Sequence, residues 1–144
     1  MRVLGLDLGS RRVGVAVSDP SGTVATPHTV LTRTGDRKAD HEAIVALARE
    51  LAVDRIVVGL PLSLDGTVGP AARAVEEEVA ALAKVVAVPV LTHDERLTTV
   101  AAERPMMAAR MRAEARRRVV DKVAAAVMLQ SWLDGAAAGP GEGP

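Results

Sequence analysis

The spacing of apolar residues changes period along this chain, and each change predicts an element. Residues 3–8 and 13–18 are short apolar runs rich in Val and Leu, separated by Gly9-Ser10-Arg11-Arg12. They predict two antiparallel strands of a hairpin. In the second run Gly14 and Ala16 alternate with Val13, Val15 and Val17. One face of that strand is therefore nearly bare, and something must pack closely on it. Asp19-Pro20-Ser21-Gly22 has turn composition. A third strand follows from about Thr23 to Leu31, where Pro27 marks an edge or an irregularity.

From Asp36 the period lengthens to about 3.6, with Ile44, Leu47, Ala48 and Leu51 on one helical stripe. "DRIVVGLP" reads as a buried strand of the parallel type, and "LSLDGTVG" as a loop. Pro70 fits the first turn of a helix whose inward face is Ala72, Val75, Val79, Leu82 and Val86. "VAVPVLT" predicts another strand, with "HDERLTT" running off its carboxyl end. Thr98 or Thr99 can cap a further helix, which Pro105 interrupts or offsets, and a last helix spans about Ala115 to Leu133. Residues 1–134 thus read as one domain, a mixed sheet with helices on both faces. Residues 135–144, "GAAAGPGEGP", are expected to be a disordered tail.

Composition narrows the chemistry. Among 144 residues there is no Cys, Phe or Tyr, and Trp132 is the single aromatic. Disulfides, thiolate metal sites and cysteine nucleophiles are excluded. The aromatic platforms on which single strands usually stack are missing too. No apolar run approaches a membrane span and no secretory leader is visible, so no membrane partner and a cytoplasmic location are expected. Lys plus Arg and Asp plus Glu are 18 each, a formal net charge of zero. The charge is nonetheless segregated. Arg104, Arg110, Arg112, Arg116, Arg117, Arg118 and Lys122 face only Glu114 and Asp121 in their stretch, while Glu76, Glu77 and Glu78 cluster elsewhere. Alone, such a run of arginines is an ordinary solvated helix face.

Three acidic positions do not fit their surroundings. Asp7 stands inside a buried strand, at a cost of several kcal/mol unless a cation or good hydrogen bonds compensate. Backbone N–H groups of the Gly9-Ser10 turn are one source of compensation, and a metal ion is another. Asp94 and Glu95 follow an apolar strand; alone they read as a solvated strand end, and only one of them can face the side that Asp7 faces. Asp121 shares a helix face with Ala124, Ala125 and Met128, although a salt bridge to Arg117 or Arg118 is also within reach. Carboxylates that converge repel one another, and a hard divalent cation such as Mg²⁺ removes the conflict with oxygen ligands alone. Two such ions, about 3.5–4 Å apart, clamp the attacking and leaving oxygens of a displacement at phosphorus.

Four motifs occur in order: "LGLDLGSRRVGVAVSD", "IVVGLPLSLDGTVG", "THDERLTTVAA" and "VDKVAAAVMLQSWL". Together they resemble the YqgF-type (RuvX-like) family of ribonuclease-H-like proteins, over nearly the whole chain apart from the tail. The resemblance implies an α/β, ribonuclease-H-like fold: a five-stranded mixed sheet of order 3-2-1-4-5, strand 2 antiparallel, flanked by helices. It also implies a phosphodiester hydrolase dependent on Mg²⁺ or Mn²⁺, with Asp7, Glu95 and Asp121 as the catalytic, metal-binding carboxylates. The implied substrate is structured RNA, the 5′ end of the small-subunit ribosomal RNA precursor, with four-way DNA junctions as the alternative. Symmetric cleavage of a junction would ask for a homodimer.

In that setting Arg11, Arg12, Arg110, Arg112, Arg116, Arg117 and Arg118 are expected to neutralise backbone phosphates, which sets position rather than sequence. The family often carries aromatics where this chain has aliphatics and Trp132, so recognition by shape and phosphate is expected over base stacking. Two rivals stay open on sequence alone. One is a kinase-like phosphotransferase, whose phosphate hairpin also reads Asp-x-Gly but which needs two lobes. The other is a nucleic-acid-binding or ribosome-assembly module that does not cut.

Overall fold

The computed structural model describes residues 1–94 and 113–138, with side chains at 1–94 and 117–136. Three strands come first: β1 (Val3–Leu8), β2 (Arg12–Ser18) and β3 (Ala25–Thr32). Then follow α1 (Arg37–Glu50), β4 (Arg55–Leu60), α2 (Pro70–Ala83), β5 (Val90–Asp94) and α3 (Ala113–Ala138). The five strands form one sheet of order β3-β2-β1-β4-β5. β2 is antiparallel to both neighbours, while β1, β4 and β5 are parallel. This is the mixed sheet expected from the sequence.

Local chemistry explains the boundaries. The Asp36 carboxylate caps α1 by accepting from the Lys38 N–H at 3.1 Å, which satisfies one otherwise orphaned donor of the first turn. Pro70 opens α2, where a missing N–H costs nothing. β3 is an edge strand, and its ladder to β2 slips between Val15 and Ala16, where Ala16 pairs with Pro27. β5 departs from expectation. It runs from Val90 to Asp94, so Val86 to Pro89 lie outside it and His93 and Asp94 lie within it. Pro89 has no N–H to give a ladder; its carbonyl instead accepts from the Ile56 N–H at 2.9 Å. At the other end α3 continues past Gly135, where the tail was expected to begin, to Ala138. The helix expected after Thr98 and Thr99 lies outside the described residues.

Each sheet face has its own core. Leu4, Leu6, Val13, Val15, Ile56, Val58 and Leu60 pack under α1 and α2 with Ile44, Ala48, Val75 and Leu82. Each fully buried Leu or Ile there contributes about 1.5–3 kcal/mol. The other face is thinner: Val3, Ala16 and Val57 meet Ala125, Ala126, Met128, Leu129 and Leu133 of α3. Small residues bring α3 down onto the sheet. A β-carbon on Gly5 would stand 2.8 Å from that of Leu129, and one on Gly14 would stand 2.1 Å from the Asp121 carbonyl oxygen. The bare face foreseen on β2 is therefore the seat of α3.

Candidate active site

The seating of α3 creates the site. Asp7 lies on β1 directly opposite Gly14, and the α3 backbone at Asp121 rests on Gly14. Strand alternation puts Val3, Gly5 and Asp7 on this face, so the two carboxylates meet although 114 positions separate them in the sequence. The Asp7 pKa is raised from 3.8 to about 6, first by burial and second by the nearby Asp121 charge.

The Gly9-Ser10 turn does not relieve that carboxylate. The Gly9 N–H donates to the backbone carbonyls of Asp7, at 3.1 Å, and Arg12, at 2.9 Å. Asp7 is thus a largely desolvated acid beside a second acid, and no described residue donates a hydrogen bond to its side chain. An oxygen-only donor set of this kind suits a hard divalent cation such as Mg²⁺ or Mn²⁺.

Asp121 takes its partner from the far end of the chain. Arg12 Nε donates to its Oδ2 at 2.5 Å, each side chain about a quarter exposed. Neither Arg117 nor Arg118 fills that role. Arg117 is exposed on α3, and Arg118 Nη2 reaches round to the Thr32 hydroxyl at 3.1 Å. Arg11 is exposed on the β1–β2 turn.

β5 resolves part of the Asp94-Glu95 question. Asp94 is paired with Leu60, a member of the core under α1 and α2, so it faces away from Asp7. His93 faces α3, with Nε2 3.0 Å from the Ser131 hydroxyl. Glu95, Arg110 and Arg112 lie outside the described residues, as does the side chain of Arg116. Among the described residues no three metal-capable side chains cluster; Asp7 and Asp121 are the pair brought together.

One constellation escaped the sequence reading. Glu78, 6% exposed, accepts from Arg33 Nη1 at 2.6 Å and Nη2 at 2.9 Å, and lies 2.8 Å from His41 Nε2. Burial raises the Glu78 pKa, but the bonds from Arg33 and His41 outweigh it and hold the carboxyl below its ordinary range. Arg33 Nε in turn donates to the Gly9 carbonyl at 2.9 Å, so the network buttresses the turn that carries Asp7 and Arg12. The available signal was spacing. Glu78 falls three after Val75 and four before Leu82, on the inward stripe of α2.

The family model described as "RuvX: Holliday junction resolvase" matches residues 1–135. A Syntrophomonas wolfei protein named "Putative pre-16S rRNA nuclease" is 42% identical over 139 residues, covering 96% of this chain and 98% of its own. One of the same name from Geobacillus thermodenitrificans is 47% identical over 137 residues, covering 93% and 98%. Among solved structures, T. thermophilus RuvC in complex with Holliday junction substrate matches with a TM-score of 0.59 and 18% identity, covering 95% of this chain and 96% of that one. This last likeness is one of fold, and the fold is ribonuclease-H-like.

Proposed function

The chain belongs to the RuvX family, and from that premise we propose that it is a metal-dependent endonuclease that processes the 5′ end of pre-16S rRNA in the cytoplasm. Hydrolysis of phosphodiester bonds is the activity for which its relatives are named. The observation that carries the metal dependence is Asp7: a largely desolvated carboxylate, with no hydrogen-bond donor among the described residues, beside Asp121.

Asp7, Glu95 and Asp121 are the residues that would hold Mg²⁺ or Mn²⁺. Bound there, the metal would supply an activated water and stabilise the leaving oxygen. Arg12 holds the Asp121 carboxylate in place and keeps the acid pair from carrying two uncompensated charges. Gly14 sets the depth of α3 and with it the separation of the two acids. Arg11, Arg117 and Arg118 offer exposed cations to backbone phosphates on the described surface, and Arg110, Arg112 and Arg116 are assigned the same role from sequence. Trp132 is eleven residues beyond Asp121 along α3, about 16 Å up the helix axis, so base stacking at the acids is not its task.

The description of the family model favours a second reading, the cleavage of four-way DNA junctions, which would call for a homodimer. The deciding experiment offers the purified protein a precursor RNA with its 5′ leader and a four-way DNA junction, each in Mg²⁺, Mn²⁺ or chelator. Cleavage of the RNA, lost in chelator and in Asp7→Asn and Asp121→Asn, is expected. Cleavage of the junction alone would shift the assignment to the second reading. Binding without cleavage in either metal would make the chain a non-catalytic module.

A further inference from the structure

A cleft of about 800 Å³ opens on the sheet face opposite α3, between the β1–β2 turn, the end of β3 and the first turns of α1 and α2. Ser10, Arg11, Thr32, Arg33, Arg37 and Glu78 are among the residues that line it. It shares the Gly9–Arg12 turn with the acid pair, which lies on the other side of that turn.

The lining of the cleft is net basic, three arginines against the two acids Asp40 and Glu78, and its unpaired cations stand at the rim. Glu78 is paired with the Arg33 guanidinium and hydrogen-bonded to the His41 ring. The other lining acid, Asp40, accepts from the Thr34 N–H at 3.0 Å and the Thr34 hydroxyl at 2.8 Å. Both acids are thus turned inward. Arg11 and Arg37 are exposed, and neither forms a salt bridge with a described residue. Arg33 is immobilised by three bonds, two to Glu78 and one to the Gly9 carbonyl, leaving two of its five N–H groups unspent. The basic character also continues round the edge of the sheet, because Arg118 of α3 bonds the hydroxyl of Thr32 on the cleft wall.

This chemistry selects a ligand class. Fixed guanidinium donors and rim cations suit phosphate. No aromatic wall is present to grip a base, since the chain has no Phe or Tyr and Trp132 belongs to the opposite face. A free nucleotide would find little to hold its base, whereas a sugar-phosphate backbone needs none. We infer that the cleft is a second nucleic-acid track. It holds the phosphodiester backbone of a single-stranded segment continuous with the strand presented to Asp7 and Asp121, with Arg11 and Arg37 at its rim and Arg33 at its floor. The track rests on the nuclease reading for the identity of that strand.

The test is binding, read apart from cleavage. Fluorescence anisotropy in chelator compares an RNA hairpin carrying a six-nucleotide single-stranded flank with the same hairpin lacking it. Arg37→Glu is the informative variant, because an acid in the first turn of α1 is favourable to the helix and the fold is retained. Wild type should bind the flanked RNA tighter. Arg37→Glu should weaken it about 5–10-fold and flatten the plot of log K against log salt by about 0.7 for the lost phosphate contact, leaving the unflanked hairpin unchanged. A deoxyribose flank should behave alike, since phosphate is what the cleft contacts.

Equal binding of both RNAs by wild type, an equal loss for both in Arg37→Glu, or a flank effect confined to ribose would each overturn the track. Flank-dependent binding lost in Arg37→Glu, without cleavage in Mg²⁺ or Mn²⁺, would keep the track and remove the nuclease reading. Cleavage without flank dependence would do the reverse.

Discussion

Asp7→Asn should make the metal-free protein more stable at neutral pH while abolishing its activity, and the size of the gain follows from the environment of the carboxylate. Burial, and then the Asp121 charge, lift the Asp7 pKa from 3.8 to about 6. Between those values the folded chain holds a proton that the unfolded chain has released. Stability therefore falls as pH rises through this window and levels off above it. At about 1.4 kcal/mol per pH unit over roughly two units, the ionised carboxylate costs the fold about 3 kcal/mol at pH 7.5. Asparagine has no such charge, so the variant should match wild type near pH 4 and exceed it by up to about 3 kcal/mol at pH 7.5. In a chain of this length that is roughly 10 °C in melting temperature.

Urea unfolding of both proteins in chelator, at intervals from pH 4 to pH 8, measures the quantity directly. Taking wild type minus variant at each pH removes the titration of every acid not coupled to Asp7. Repeating the series in millimolar Mn²⁺ should raise wild type far more than the variant, because an ion that binds only the native state adds stability by mass action. A difference that stays flat with pH, or an Asn variant less stable than wild type at pH 7.5, would refute the description of Asp7 as a largely desolvated acid that no described residue compensates.

Two further substitutions test the supports of the site. Gly14→Ala sets a β-carbon 2.1 Å from a backbone oxygen and 2.5 Å from a backbone carbon of Asp121; it should destabilise by about 1–3 kcal/mol or more and weaken Mn²⁺ binding, and wild-type values in melting and metal titration would contradict the close seating of α3. Arg33→Ala leaves the buried Glu78 with only His41 and should cost about 3 kcal/mol in urea unfolding, whereas Arg33→Met combined with His41→Leu and Glu78→Met should recover most of that loss; a triple variant less stable than the single one would show that the network is not an isolated buried ion cluster.

The strands and first two helices were legible in the sequence because their signals are local, whereas the strand order rested on the family resemblance. The Val and Leu alternations of β1 and β2, the proline on β3 and the stripes of α1 and α2 all act within a few residues. β5 was placed too early because "VAVPV" looks uniformly apolar, and only the missing N–H of Pro89 separates its first half from the ladder. Asp7 and Asp121 stood out as acids on faces that had to be buried. The partner of Asp121 did not, since Arg12 lies 109 residues away and Arg117 and Arg118 are nearer rivals. Glu78 was hidden by its neighbours. In a run of three glutamates the reading defaults to a solvated face, although only the third lies on the stripe of Val75 and Leu82.

The two faces of the sheet divide the labour between stability and chemistry. Under α1 and α2 the core holds five large aliphatic side chains with no measurable exposure or close to it, Leu4, Leu6, Ile44, Ile56 and Leu82, and a buried network that fixes the β1–β2 turn from behind. Under α3 the sheet contributes Val3, Gly5, Gly14, Ala16 and Val57, small residues that let Met128, Leu129 and Leu133 of the helix approach closely. A larger residue at position 5 or 14 would bury more apolar surface, but it would lift α3 and carry Asp121 away from Asp7. The glycines are therefore best understood through the acids. The close seating of α3 holds two carboxylates where they would not settle unaided, and Arg12 clamps the second of them.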